Sequence, residues 1–158
     1  MLPASRLLPA GRTNDEENGS KFTRDLTSYK LKKVVRCLQD RKDLKKQDAD
    51  WGAVFESFIF HELKTYSEYR RLDDLSYWRS TSGFEVDFII NNQVAVEVKS
   101  CKKVNNSDFK GLKALQSEGI LKKYILISND PIRQKWDSIL AMPYDDFLQE
   151  LWNDQIVF

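Results

Sequence analysis

The chain has 158 residues, 41% hydrophobic and 12% aromatic, which is enough for one ordinary core and too little for two comfortable ones. Its formal charge of +1 gives no whole-protein argument for nucleic acid or a membrane surface, and no apolar run approaches the roughly 20 residues of a bilayer span. One histidine and two distant cysteines, Cys37 and Cys101, argue against structural zinc and against a disulfide framework, and the absence of GxxxxGK[ST] and GxGxxG loops argues against a nucleotidase.

With no apolar signal-peptide core at the N-terminus, a reduced, cytoplasmic protein is the expectation. The charge is uneven: 12 Lys and Arg against 8 Asp and Glu in residues 1–50 give +4, 5 against 8 in 51–100 give −3, and 8 against 8 in 101–158 give zero. Residues 1–24 mix Pro, Gly, Asn and acids without periodicity and read as a flexible tail. Residues 25–50 read as a surface helix, with Leu26, Leu31, Val34, Val35 and Leu38 at helical spacing, followed by a charged linker.

From Trp51 the spacing of Val54, Phe55, Phe58, Ile59 and Leu63 predicts a core helix, with Asp48 and Asp50 as caps ahead of it. Glu56 stands beside that stripe, and His61, one turn on, reads as a packed or partly exposed imidazole outside any site. A strand over Ser76–Ser80 leads into EVDFIINNQVAVEVK, residues 85–99. Next, Asn105, Asn106 and Ser107 offer caps for a second helix that buries Phe109, Leu112 and Leu115 and ends at Gly119. Residues 122–128 predict a buried strand, Ile139–Met142 another, and Pro143 starts a last helix burying Phe147, Leu148, Leu151 and Trp152.

The hairpin register follows from the cost of burying charge. If Asn91-Asn92-Gln93 is a three-residue loop, Ile90 faces Val94, and one side collects Phe84, Val86, Phe88, Ile90, Val94, Val96 and Val98. Slipping by one drives Glu97 and Lys99 toward the core, which costs more than turn preferences on the ~1 kcal/mol scale. The favoured register sets Asp87 across from Glu97 and Glu85 across from Lys99. Like carboxylates facing each other repel, which a sheet built for stability alone avoids. Two readings stay open on these residues: a solvated strand face with a Glu85–Lys99 ion pair, or carboxylates for a hard divalent cation beside a lysine that orients or deprotonates a water.

Glu56 in an amphipathic helix, Asp87 in a strand and Glu97-Val98-Lys99 in the next strand resemble the PD-(D/E)xK nuclease superfamily. More narrowly, WGAVFESFIFHEL, YWRSTSGFEVDFII, VAVEVKS, DFKGLKAL and MPYDDFLQELW are similar to the uncharacterised nuclease-like C-terminal domain of a family of prokaryotic AAA-type ATPases, over about residues 51–152. The resemblance implies an α/β fold with a restriction-endonuclease-like αβββαβ core, a central mixed sheet flanked by helices, in a domain spanning 51–158. It implies a nuclease that hydrolyses DNA phosphodiester bonds, with Mg²⁺ or Mn²⁺ held by Glu56, Asp87 and Glu97, and Lys99 as the catalytic lysine. Arg79, Lys102 and Lys103 are the candidate DNA contacts, with Lys110 and Lys113 beyond them. The rival reading is a noncatalytic nuclease-like module that binds DNA or protein. Candidate partners are DNA, an ATPase domain or other protein, and a second copy of the chain; a membrane is not among them.

Overall fold

The strands expected between residues 76 and 143 assemble side by side into one mixed sheet, in a computed structural model that describes residues 20–23, 47–73 and 75–157. The helix expected over 25–38 and the linker after it, up to residue 46, lie outside the described residues. In chain order the elements are β1 (Ser20–Thr23), α1 (Gln47–Arg70), β2 (Ser76–Ser80), β3 (Glu85–Ile90), β4 (Val94–Lys99), α2 (Lys110–Gln116), β5 (Lys123–Ser128), β6 (Gln134–Trp136), β7 (Ile139–Pro143) and α3 (Tyr144–Trp152). The order α1-β2-β3-β4-α2-β5 is the αβββαβ arrangement expected from sequence. The fold is α/β, a mixed sheet flanked by helices.

The sheet order is β1-β2-β3-β4-β5-β7-β6. Strands β1 to β4 run antiparallel to their neighbours, β4, β5 and β7 are parallel, and β6 returns antiparallel along β7. Two elements were not anticipated. Ser20–Thr23, assigned to the tail, is an edge strand on β2, and Gln134–Trp136 is a three-residue edge strand; both are too short to carry a period-2 signal.

Each face of the sheet has its own core. On one, α1 and α3 cover Phe88, Ile90, Val94, Val96, Val98, Ile125 and Ile127; on the other, α2 covers Trp78, Val86, Ile89, Ala95 and Leu126. The segment expected as one helix after Asn105 is a 3-10 turn, Asn106–Phe109, that runs into α2. Asn105 accepts from Ser107 N–H at 3.0 Å while its own N–H donates to Asp108 at 2.8 Å, Phe109, Leu112 and Leu115 are fully buried, and Gly119 ends the segment at φ +66°. Burial of three such side chains stabilises the layer by roughly 1.5–3 kcal/mol each. Helix α3 buries Phe147 and Leu151, but Trp152 stays partly exposed and donates from Nε1 to Glu62 at 3.2 Å.

Helix α1 corrects the expected stripe. It starts at Gln47, so Asp48 and Asp50 lie inside it and do not precede it as caps. Trp51, Val54 and Phe58 are exposed, while Phe55, Glu56, Ile59, Phe60, Leu63 and Tyr66 are buried. Gly52 lies toward the end of β4, where a Cβ would stand 3.4 Å from Ser100 Oγ, an ordinary contact. The rotation relative to the expected stripe carries Glu56, one turn on from Gly52, into the buried face.

The β3–β4 turn has the predicted register, with Ile90 paired to Val94, Ile89 to Ala95 and Phe88 to Val96. Asn91 and Asn92 supply its left-handed backbone at φ 50° and 51°, and Gln93 N–H donates to Ile90 O at 3.0 Å. Replacing Asn91 or Asn92 by glycine should leave stability nearly unchanged, whereas valine should cost about 1–2 kcal/mol at either position, since a branched residue is strained at positive φ. Urea unfolding of the four variants measures this, and valine variants as stable as wild type would contradict the turn.

Candidate active site

The site lies where β3 and β4 stop pairing. Between Ser76–Ile89 and Trp78–Val86 the β2–β3 register shifts by one residue, so Asp87 and Phe88 together oppose Tyr77. This bulge breaks the alternation: Val86 packs with Trp78 under α2, whereas Phe88 packs under α1. The expected single face holding both Val86 and Phe88 is therefore corrected, and Phe84 is exposed. Sequence alternation gave no sign of the extra residue.

Beyond Phe88–Val96 the two acids enter the gap between the strands. Asp87 Oδ2 accepts from Val98 N–H at 2.9 Å, and the Asp87 N–H in turn favours the charged form of the Glu97 carboxylate. Lys99 Nζ stands 2.5 Å from Glu97 Oε1, while Glu97 Oε2 is buried with no hydrogen-bond partner. Asp87, Glu97 and Lys99 are thus brought together. Glu85 does not reach Lys99 as expected; it pairs with Arg79 at 3.1 Å, because the β2–β3 register sets those two directly opposite.

Electrostatics follow from burial. Desolvation, then the Asp87 charge, push Glu97 up to about 8, against the opposing pull of Lys99 and the Asp87 N–H. Burial acts to lower Lys99, but the Glu97 carboxylate, with Asp87 and Asp108 behind it, outweighs this and the net direction is upward. Asp108 was not a candidate from sequence, because its nearness to Lys99 depends on where the segment leading into α2 lies on the sheet.

Glu56 is brought to the sheet from the other side. Alternation along β4 puts Glu97 with Ala95 on the α2 face, whereas Glu56 is buried on α1, against the Val96 and Val98 face. Among the described residues no group of three or more His, Cys, Asp or Glu side chains is arranged as a metal-ligand set. Asp87 and Glu97, the latter with an unpartnered buried oxygen, are carboxylates of the kind that could hold a hard divalent cation with its waters. His61 is exposed on α1, as its place outside the site implied.

The surroundings are polar. Lys102 and Lys103 are exposed on the loop that continues from Lys99. That loop is pinned to the end of β5: Val104 N–H donates to Asp130 Oδ2 at 2.9 Å, and Asn129 N–H donates to Cys101 O at 3.1 Å. Buried Asp130 also accepts from Ile132 N–H at 3.0 Å. Lys110 is exposed, and Lys113 donates to Asn106 at 2.7 Å. Lys99 closes β4 in register with Ser128 of β5, so the acids lie at the carboxyl ends of the parallel strands, the usual ligand end of an open α/β sheet.

An α/β domain with an acid pair and a lysine at that end is the class of protein defined by these residues. Residues 51–147 match the family described as "Domain of unknown function (DUF4143)", well over half of the chain, and the chain belongs to that family. No curated protein and no solved structure matches it. No helix among the described residues is long and apolar enough to cross a membrane.

The raised Glu97 value has a definite sign in stability. The folded state holds this proton more tightly than the unfolded chain, so the contribution is fully present below 4.5 and is lost as pH rises through about 8. In EDTA, melting of the wild type should therefore fall more steeply from pH 5 to pH 9 than melting of Glu97→Gln. Parallel curves for the two proteins would show that Glu97 is not held in this way.

Proposed function

We propose that the protein is a metal-dependent nuclease acting on DNA phosphodiester bonds. The observation that carries this reading is the confrontation of Asp87 and Glu97 at the parting of β3 and β4, with Lys99 Nζ 2.5 Å from Glu97. Asp87 and Glu97 would hold Mg²⁺ or Mn²⁺, which when bound supplies positive charge against the phosphate and acidifies a bound water. Lys99, kept as an ammonium by its acidic neighbours, orients the attacking water and offsets charge gathering on the phosphate oxygens.

Exposed Lys102 and Lys103 supply backbone contacts directly after Lys99. Arg79 joins them by exchange: its pair with Glu85 is solvent-exposed, with side chains 62% and 48% accessible, and such pairs are worth only about 0–1 kcal/mol. A phosphate can replace Glu85 at little cost. Near-neutral net charge makes this grip modest and salt-sensitive.

A second reading, the noncatalytic module that binds DNA or a partner ATPase, is favoured by one observation. Among the described residues no three acids form a metal-ligand set, whereas the resemblance implies three.

Plasmid cleavage separates the two. The nuclease reading expects nicking or linearisation with Mg²⁺ or Mn²⁺, a loss of about 100-fold or more in Asp87→Ala, Glu97→Ala and Lys99→Met, and loss of a Mn²⁺ binding event in Asp87→Ala by calorimetry. Intact supercoiled, linear and single-stranded DNA with no divalent binding would end it, and a salt-sensitive DNA shift unaffected by Asp87→Ala or Glu97→Ala would support the second reading. Separately, Glu85→Gln should tighten DNA binding at low salt by a few-fold and Arg79→Ala should weaken it. Equal affinities in a filter-binding series would remove Arg79 from the DNA contact.

A further inference from the structure

Helix α2 rests on β3 immediately before the bulge, and one residue sets how close it comes. A Cβ on Gly111 would run into the Glu85 carbonyl oxygen and lie 3.2 Å from that carbonyl carbon, with Val86 Cγ2 at 3.6 Å. Both obstructing atoms of Glu85 are backbone, so no rotamer change relieves them. Gly111 has ordinary helical backbone, not positive φ, and glycine is poorer in a helix than alanine by up to about 1 kcal/mol. Its value at this place is therefore the close approach and not conformational freedom.

The strand it touches leads directly into the site: Glu85 and Val86 precede Asp87, whose carboxylate accepts from Val98 N–H. The same helix segment brings Asp108 near Lys99 and lays Leu112 and Leu115 under Ala95 and Leu126. Pushing α2 away from β3 moves the bulge relative to β4, which fixes the other acid. We propose that Gly111 is a positioning residue for the Asp87–Glu97 pair, acting by letting α2 clamp the Glu85-Val86 peptide against the sheet. The role as a clamp stands on packing alone; its consequence for metal rests on the nuclease reading.

Gly111→Ala is compared with Gly119→Ala, which pays for positive φ at a place where a Cβ meets nothing within 4 Å. Two quantities are read in each: exchange of the Val98 amide relative to the Val96 amide, in metal-free protein, and Mn²⁺ affinity by calorimetry. Gly111→Ala should speed Val98 relative to Val96 by about tenfold and weaken Mn²⁺ by about tenfold or more. Gly119→Ala should lower global stability while leaving the amide ratio unchanged and Mn²⁺ affinity within about threefold. An unchanged amide ratio in Gly111→Ala, or an equal change in Gly119→Ala, overturns the proposal. Should Gly111→Ala not fold, Leu112→Ala loosens the same clamp, and an unchanged Val98 ratio there is equally fatal. A wild type that binds no Mn²⁺ defeats the metal reading, while the amide ratio still decides the clamp.

Discussion

Two acidic side chains stand where a β-ladder should continue, and the rest of the site depends on that substitution. Asp87 takes the Val98 N–H that an antiparallel partner's carbonyl would otherwise accept, and Glu97 lies buried against it with one oxygen unpartnered. Burying a carboxylate beside another carboxylate opposes folding, and the Lys99 ammonium offsets part of that cost. A sheet under no demand but stability would have continued the ladder with apolar or oppositely charged pairs.

The fold supplies the conditions for this arrangement. Strand β4 is central: β3 pairs antiparallel with it only as far as Val96, while β5 runs parallel along its whole length and holds Glu97 and Lys99 from that side. The bulge in β3 provides the local freedom that lets Asp87 turn toward β4, and α2 limits that freedom by sitting against Glu85 and Val86. Membership of a family of unknown function carries no activity with it, so the chemistry rests on these residues and their geometry.

Much of this was legible in the sequence, for reasons that can be named. The Asn91-Asn92 turn carries the β3–β4 register, and the register brings Asp87 to Glu97; the cost of burying charge was the weaker guide, because Glu97 is buried in this register. Asn105, Phe109, Leu112, Leu115 and Gly119 define the helix over the far face. What alternation misses is the bulge, since one extra residue in β3 changes the face of Val86 without changing any residue type. The rotation of α1 also escaped: Trp51, Val54 and Phe58 carry a strong apolar signal, but packing against the sheet buries Phe55, Glu56, Ile59 and Phe60 instead. Gly111 was not singled out from sequence, because the backbone it approaches belongs to a distant strand. Close backbone approaches are tertiary facts, and a single chain of letters records them only as small residues.

The most direct measurement is anomalous diffraction from crystals grown with Mn²⁺. The account predicts one strong peak within coordinating distance of both Asp87 and Glu97, with Val98 and Lys99 still in β4. A fully ordered site with no peak between these carboxylates, or a peak held by other residues alone, would contradict it.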